Sequence, residues 1–396
     1  MLQICSRIKI CLAALLLLPL TAQAQWGPVA DSVAAYTGFH PVEGNRMKVT
    51  KAGEQYLQWL LEDVRAAQES IEIEYYWFDT DKAGHMLRDA LMEKARAGVA
   101  VRVIMDNLLA PTSPEEFYDI LRRSGADVRY IRNLDAIRLW QLPGTVLGHR
   151  DHKKIVVIDN KIAYTGGMNF CDEAAFNWED TQLRIEGPAV NELRKLFLMT
   201  WTKLGGSAPE MPVPAANGSI VAQVIYGDGS PLLEKIYLQA IRAAKKYFFI
   251  QTPYMVPPQS ILNELIAAKQ RGVDVRILLP TESDWPFMNE ITHDYYPQLT
   301  AIGIRIYEYG TIYDHSKIFV SDDILSSCGT VNLDMRSFFI NSEDALLFYD
   351  GGTALYFREI LESHMAKAHE VQPGEGDVKG FHRLYRNFIK LFGNLL

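Results

Sequence analysis

Most of this chain is built from two copies of one pattern of apolar and polar residues. In residues 56–202, and again in residues 231–366, helix-like segments alternate with short runs rich in β-branched and aromatic residues. The corresponding runs of the two copies are 71–77 and 247–252, 101–105 and 275–279, and 127–131 and 303–307. Alternating strands and helices are typical of βαβ units. We therefore predict an α/β fold with an internal duplication, in which two mainly parallel sheets are flanked by helices.

The same pattern divides the chain into segments. Residues 205–220 are rich in Gly, Pro and Ala without an apolar period, which indicates a linker between a first half at 51–204 and a second half at 221–370. Residues 25–50 are expected to form an N-terminal arm. Residues 371–396 have apolar residues at helical spacing with lysines and arginines between them. This basic amphipathic segment could lie at a membrane surface or pack on the protein body.

The first 24 residues have the parts of a secretory signal peptide. Arg7 and Lys9 precede an apolar stretch from Cys11 to Leu20, and Ala22-Gln23-Ala24 offers a small-x-small cleavage site. An uncleaved anchor is the alternative, but the apolar stretch has about half of the roughly 20 residues that a spanning helix needs. We expect an exported protein that is periplasmic or secreted and could be peripheral on a membrane.

Composition and charge narrow the class of protein further. The chain has 396 residues, of which 48% are apolar and 22% are charged, and this balance excludes a disordered chain. The formal net charge of −8 becomes about −10 without the two basic residues of the signal segment, so a nucleic-acid partner is not expected. Cys171 and Cys328 remain after cleavage and could form a disulfide or stay as two buried thiols.

Two copies of the motif H-x-K-x-x-x-x-D supply the candidate chemistry. The predicted catalytic residues are His152, Lys154 and Asp159 in the first copy and His315, Lys317 and Asp322 in the second. Each motif begins an apolar strand, where positions i and i+2 share a face, so each histidine lies beside its lysine. A phosphodiester needs a nucleophile, cationic donors for its oxygens and an acid for the leaving alkoxide. Two motifs that meet in one site provide all three.

Equivalent residues follow each motif at equal distances. Gly166-Gly167-Met168-Asn169 and Gly329-Thr330-Val331-Asn332 both begin seven residues after the motif aspartate, and Asn169, Asn332 and Thr330 could donate hydrogen bonds to phosphate oxygens. Asp180 and Glu343 each lie 28 residues after a motif histidine. A carboxylate there could orient the imidazole, and Asp344 could substitute for Glu343.

The sequence resembles the phospholipase D superfamily and, within it, the bacterial cardiolipin synthase branch. The resemblance covers roughly residues 50 to 396. Besides the two motifs, it rests on the segments 165–169, 183–188, 251–254, 271–276, 307–309 and 329–337.

The resemblance implies a pseudo-twofold fold with one shared active site that works without a metal or a cofactor. It implies a phosphohistidine on His152 and an acid/base role for His315, with lysines and asparagines around the phosphate and supporting roles for Asp159 and Asp322. A phospholipid such as phosphatidylglycerol is the expected substrate at a membrane surface. Because both motifs are in one chain, we expect a monomer.

Several alternatives stay open. A signal peptide stands where membrane-bound relatives usually have transmembrane helices, so the acceptor could be water instead of a second lipid. Gly167 also replaces a hydroxyl residue that is often found at that point of the family motif. A phospholipase D-type nuclease is a second interpretation, and a non-catalytic membrane-binding module is a third.

Overall fold

The structure of the chain, a computed structural model, describes residues 26–76, 78–106, 115–131, 148–284 and 286–375. The expected signal peptide and the part of the C-terminal amphipathic segment from residue 376 onward lie outside these residues. Among the residues described, no helix is both long and apolar enough to cross a membrane.

The regular elements of the described residues follow the two-copy pattern. The strands are β1 (Val42–Ala52), β2 (Ser70–Tyr75), β3 (Ala100–Asp106), β4 (Asp127–Ile131), β5 (Lys154–Ile158), β6 (Ile162–Gly166), β7 (Glu179–Glu186), β8 (Ile220–Asp228), β9 (Tyr247–Gln251), β10 (Met255–Val256), β11 (Asp274–Pro280), β12 (Arg305–Tyr309), β13 (Ile318–Ser321), β14 (Leu325–Gly329), β15 (Leu333–Asp334), β16 (Ser342–Phe348) and β17 (His369–Glu370).

The helices are α1 (26–37), α2 (Gly53–Ala66), α3 (Lys82–Arg96), α4 (Glu115–Arg123), α5 (Ala189–Lys203), α6 (Leu232–Ala243), α7 (Gln259–Gln270), α8 (Pro286–His293), α9 (Tyr296–Thr300), α10 (Met335–Phe339) and α11 (Gly351–Met365), with a π-helix at Glu173–Asn177.

Strand order in the sheet confirms the duplicated α/β fold. In the described part of the chain, fifteen strands form one sheet in the order β17-β12-β11-β9-β13-β14-β16-β8-β1-β7-β6-β5-β2-β3-β4. Apart from the edge strand β17, corresponding strands of the two halves follow one another in the same order from each edge to the centre. The segment expected to be an arm provides β1, which pairs with β7 on one side and with β8 on the other.

The prediction of two mainly parallel sheets is wrong. Within the large sheet of the described residues, parallel pairing is confined to the outer strands of each half, where β3 pairs with β2 and β4, and β11 pairs with β9 and β12. β10 and β15 form a separate parallel pair. From the motif strands inward the chain runs as antiparallel hairpins, β5 with β6 and β13 with β14. The difference arises because short turns, without a helix, follow the motif strands, and a two- or three-residue turn can join only antiparallel strands.

Both motif strands have apolar residues at successive positions because both of their faces are covered. Along β5, Val156 and Ile158 belong to the core of the first half, whereas Ile155 and Val157 belong to an apolar cluster with members from both halves. A strand buried on two faces has apolar residues at successive positions. The shared cluster holds the halves together behind the motif histidines. Cys171 and Cys328 are buried and form no disulfide.

Candidate active site

The two histidine motifs meet between the two halves of the chain, in contact with strands of the opposite half. The backbone N–H of His152 donates to the carbonyl of Ser342 at 2.7 Å, at the start of β16. The backbone N–H of His315 donates to the carbonyl of Glu179 at 2.8 Å, at the start of β7. Each motif therefore docks on a strand of the other half, and this exchange brings the two predicted parts of the site together.

Each histidine is bound to an acid of the opposite half. His152 Nδ1 lies 2.7 Å from Glu343 Oε2, and His315 Nδ1 lies 2.8 Å from Asp180 Oδ2. Glu343 and Asp180 directly follow the residues on which the motifs dock, so the crossed pairing follows from the docking. An ionised carboxylate only accepts hydrogen bonds, so each Nδ1 donates and each Nε2 is left for a reacting atom.

The motif lysines are buried beside the histidines. Lys154 Nζ donates to the carbonyl oxygen of His152 at 3.0 Å, and Lys317 Nζ donates to that of His315. Burial lowers the pKa of each ammonium to about 8; for Lys154 the charge of Lys317 lowers it further, while nearby carboxylates oppose the shift. Two ammonium groups in a buried site suit a substrate with an anionic phosphate.

The surroundings of the histidines hold the two imidazoles at different proton affinities. Burial lowers the pKa of His152 well below its ordinary value, and the charges of Lys154 and Lys317 lower it further. Burial and Lys317 also lower the pKa of His315, but the hydrogen bond and charge of Asp180 oppose the shift. His152 is therefore neutral at neutral pH, and His315 retains a proton more readily.

Glu343 is held by three donors besides His152. Thr330 Oγ1 donates to Oε2 at 2.5 Å, and Ser337 Oγ and Asn341 Nδ2 reach Oε1 at 2.8 and 3.3 Å. The prediction that Thr330 donates to the substrate phosphate is wrong, because its hydroxyl is fully buried behind this carboxylate. The sequence could not distinguish the two roles, since both place a donor in the loop at 329–332.

Asp180 lacks an equivalent set of donors among the described residues. Its Oδ2 binds His315, and its buried Oδ1 has no hydrogen-bond partner there. Gly167 stands at the position of Thr330, and a Cβ at Gly167 would lie 2.3 Å from Asp180 Oδ1. The glycine at position 167, where the family often has a hydroxyl residue, thus leaves room for the Asp180 carboxylate. The two carboxylates that bind the histidines therefore accept different numbers of hydrogen bonds.

Asn169 and Asn332 take equivalent places in the two halves. Both side chains are buried, and neither Oδ1 has a partner in the part of the chain that the structure describes. An amide oxygen accepts hydrogen bonds and an amide nitrogen donates them, so the predicted contact of each asparagine to a phosphate oxygen would come from Nδ2. Their role in binding stays a prediction.

The motif aspartates lie away from this site, at the far ends of β5 and β13. Asp159 accepts from the backbone N–H groups of Gln68, Glu69 and Ser70 at 2.7 to 2.9 Å. Asp322 makes the same three contacts, with 245–247, at 2.7 to 2.9 Å. The prediction that Asp159 and Asp322 are catalytic residues is therefore wrong. They anchor the start of β2 and β9, in keeping with the supporting role that the resemblance implied.

Asp344, considered as a substitute for Glu343, has a different position. Its carboxylate accepts from the backbone N–H of Lys154 at 2.9 Å and from Thr165 Oγ1 at 2.5 Å. Burial raises its pKa to about 6, while these donors oppose the shift. Asp344 therefore positions the first motif strand and leaves the histidine contact to Glu343.

Several aromatic and cationic residues around the histidines were missed in the sequence. The ring of Tyr76 packs edge-on against His152 with 4.8 Å between centroids, and Arg150 lies over that ring. Tyr313 and Trp178 lie against His315, at 5.9 and 5.6 Å. One signal could have found two of them, because Arg150 and Tyr313 each precede a motif histidine by two residues.

One group of described residues has the composition of a metal site. Glu179, Asp314 and His364 place one ligand atom each within 4.8 Å of one another. The Lys51 ammonium lies 2.6 Å from Asp314 and 3.8 Å from Glu179, so a cation of the protein itself already offsets part of the negative charge of this group. We assign the group a structural role beneath His315.

Comparison with known proteins identifies the family of this chain. The family model described as "Cardiolipin synthase, PLD-like domain" matches residues 60–201 and 237–365, one match in each half. The chain is 32% identical over 368 residues to the probable cardiolipin synthase YwiE of Bacillus subtilis, covering 89% of this chain and 72% of that protein. It is 29% identical over 351 residues to cardiolipin synthase A of Cronobacter sakazakii, covering 84% and 71%.

Solved structures support the fold. Phosphatidylserine synthase of Haemophilus influenzae Rd KW20 superposes with a TM-score of 0.66 at 14% identity, over 92% of this chain and 100% of that one. Polyphosphate kinase of Porphyromonas gingivalis superposes with a TM-score of 0.59 at 14% identity, over 89% of this chain and 53% of that one. At such identities the likeness concerns the fold alone. With the two family matches and the crossed pairs of histidine and carboxylate, the sequence resemblance is confirmed, and the chain belongs to the cardiolipin synthase branch of the phospholipase D superfamily.

Proposed function

We propose that this chain is an exported phosphatidyltransferase of the cardiolipin synthase type, which moves a phosphatidyl group between alcohols through a phosphohistidine on His152. The observation that carries the proposal is the crossed pairing of His152 with Glu343 and of His315 with Asp180. It gives one site two imidazoles whose Nε2 atoms are both left for reaction, one from each half.

The geometry supports a two-step displacement. In the first step the Nε2 lone pair of His152 attacks phosphorus, the bond from phosphorus to the head-group oxygen breaks, and that oxygen takes the proton from His315 Nε2. In the second step an acceptor hydroxyl gives its proton to His315 and attacks phosphorus, and the phosphorus–nitrogen bond breaks. The lysine ammonium groups offset the charge on the phosphate oxygens in both transition states.

The choice of nucleophile is supported by the unequal surroundings of the imidazoles. His152 has its pKa lowered well below the ordinary value, and the carboxylate of Glu343 shares its charge among four donors. His315 contacts the carboxylate of Asp180, which accepts fewer hydrogen bonds than that of Glu343 among the described residues. A neutral imidazole has a free lone pair for attack, and an imidazole beside a strong acceptor keeps the proton that a general acid donates, so the symmetry of the motifs is broken in favour of His152 as nucleophile.

The reaction is tested with purified full-length protein and vesicles of phosphatidylglycerol, with a supercoiled plasmid in parallel. Mass spectrometry of the lipids should detect cardiolipin, with free glycerol in the aqueous phase. Phosphatidic acid without cardiolipin would replace the transferase by a hydrolase. A nicked plasmid with unchanged lipid would replace lipid chemistry by nuclease activity.

Export is supported by the basic, apolar and small-residue parts of residues 1–24. Expression of the full chain in a bacterium, followed by fractionation and N-terminal sequencing, should recover a periplasmic or secreted form that starts at Gln25. Recovery of the uncleaved chain from the cytoplasm would contradict export and leave the proposed reaction untouched.

A further inference from the structure

The two halves of the site differ at the position two residues before each histidine. In the first half this residue is Arg150, whose guanidinium binds both carboxylate oxygens of Asp106, with distances of 2.9 to 3.2 Å. In the second half it is Tyr313, whose hydroxyl donates to Asp284 at 2.8 Å. The pseudo-twofold symmetry of the motifs thus does not extend to the walls of the site.

Tyr313 belongs to a small polar group beside His315, the Asp284 cluster, which consists of Tyr254, Asp284 and Tyr313. Both tyrosine hydroxyls donate to Asp284 Oδ1. The tyrosine rings lie 6.5 and 5.9 Å from the imidazole of His315, and Asp284 itself is exposed. The cluster therefore lines the open side of the site next to the proposed acid/base.

Asp284 carries a charge that no cation of the described residues neutralises through an ion pair. The described hydrogen bonds to its side chain, which include one from Ser283 Oγ at 3.3 Å, all end on Oδ1. Among the described residues, no hydrogen bond ends on its Oδ2, which leaves that oxygen as an acceptor beside the site. By contrast, the acid of the first half, Asp106, is occupied by Arg150.

We infer that the Asp284 cluster is the alcohol subsite, in which Asp284 accepts a hydrogen bond from a second hydroxyl of a glycerol-type polyol whose reacting hydroxyl faces His315. This inference rests on the proposed function. The alcohol side of the reaction is the side of His315, because that imidazole protonates the departing alcohol and deprotonates the entering one. The same polyol could come from free glycerol or from the glycerol head group of a lipid.

The chemistry of the cluster favours a polyol over an alcohol that carries a quaternary ammonium. Ammonium recognition uses the open faces of aromatic rings. Here the Tyr313 ring packs edge-on against Trp178 with 4.9 Å between centroids, and the phenol hydroxyls point to the carboxylate. The cluster offers hydroxyl oxygens and a carboxylate, which match the donors and acceptors of neighbouring alcohol groups.

The test measures how one enzyme intermediate divides between two acceptors. Vesicles of phosphatidyl-p-nitrophenol serve as donor, and glycerol and 1-propanol compete at equal concentration, so that mass spectrometry gives the ratio of phosphatidylglycerol to phosphatidylpropanol. The ratio is independent of the first step and of the basicity of His315, because both products arise from the same intermediate. Asp284→Asn should lower the ratio by roughly ten- to a hundredfold, the range for a hydrogen bond to a charged group.

Glu282→Gln is the matched control, because it removes an exposed carboxylate two residues away in the same loop and should leave the ratio unchanged. A second experiment repeats the competition with the lipid acceptor phosphatidylglycerol in place of glycerol. A lower ratio of cardiolipin to phosphatidylpropanol in Asp284→Asn would identify the lipid head group as the polyol, and an effect with glycerol alone would identify the free polyol. An unchanged product ratio in correctly folded Asp284→Asn would overturn the subsite, as would a wild-type preference for choline over glycerol. If the wild-type protein forms no phosphatidyl product at all, the proposed function fails first and the subsite fails with it.

Discussion

Replacement of Glu343 by glutamine should slow the attack of His152 and leave the acid/base function of His315 comparatively intact. Glutamine keeps the length of the side chain but removes the charge that accepts from His152 Nδ1 at 2.7 Å. A hydrogen bond to a charged group contributes about 1.5 to 3 kcal/mol, which corresponds to a rate loss of roughly ten- to 150-fold. The glutamine amide also faces Thr330, Ser337 and Asn341, so the variant should unfold at a lower temperature.

The assay follows the burst of p-nitrophenolate from phosphatidyl-p-nitrophenol in a rapid-mixing instrument. This leaving group departs as an anion and does not need the proton of His315, so the burst reports the attack of His152 alone. Glu343→Gln should show a slow burst. Asp180→Asn should keep a fast burst and show a slow steady state, because removal of the phosphatidyl group needs His315 as a base.

The reverse pattern would refute the crossed assignment. If Asp180→Asn slowed the burst and Glu343→Gln slowed only the steady state, then either the acids would serve the histidines of their own halves or His315 would be the nucleophile. Thermal unfolding of both variants separates loss of structure from loss of function, since an altered rate in a fully folded sample cannot come from unfolded protein.

Three further predictions concern residues around the pair. Gly167→Ser should reduce turnover at least about tenfold, because the new Cβ would lie 2.3 Å from Asp180 Oδ1 and displace that carboxylate. Steady-state rates would show the loss, with circular dichroism as the control for folding. Turnover at the wild-type rate would contradict the prediction. Turnover should fall as the pH rises through about 8, where Lys154 and Lys317 lose their charge, and a pH–rate profile that is flat to pH 9.5 would exclude this cause. Asp159→Ala removes the acceptor of three backbone N–H groups and should lower the free energy of unfolding by about 3 kcal/mol in a denaturant titration. Turnover of the folded protein should change little, because the length of β5 separates Asp159 from His152 by about 20 Å.

The order of strands and helices could be predicted because it is a local property of the sequence. The paired runs at 71–77 and 247–252 correspond to β2 and β9. The pairing of the strands could not be predicted equally well. Whether a strand runs parallel to its neighbour depends on the connection. In the sequence Asp159 and Asp322 are recognisable as parts of a motif, whereas their place in short hairpin turns is visible only in the structure. Both residues have a positive φ, of 53° and 55°, which aspartate tolerates in such turns.

The candidate site was predictable in its residues and less so in its contacts. Equal spacing after each motif identified Asp180 and Glu343, but the docking of each motif on the opposite half decides which histidine each acid reaches. The loop that recurs seven residues after each motif aspartate predicts a phosphate contact for the Thr330 hydroxyl, because its glycine lets the backbone approach a ligand closely. The burial of Thr330 behind Glu343 depends on how β14 and β16 pack, and the sequence alone does not contain that packing.

The central claim, a covalent intermediate on His152, is tested most directly by mass spectrometry of protein quenched at neutral to alkaline pH during turnover of a phosphatidyl donor. The account predicts a phosphatidyl adduct on the peptide that contains His152, which is absent from His152→Ala, and a larger amount of the same adduct in His315→Ala with phosphatidyl-p-nitrophenol. An adduct on the peptide of His315, or full turnover by folded His152→Ala, would contradict it.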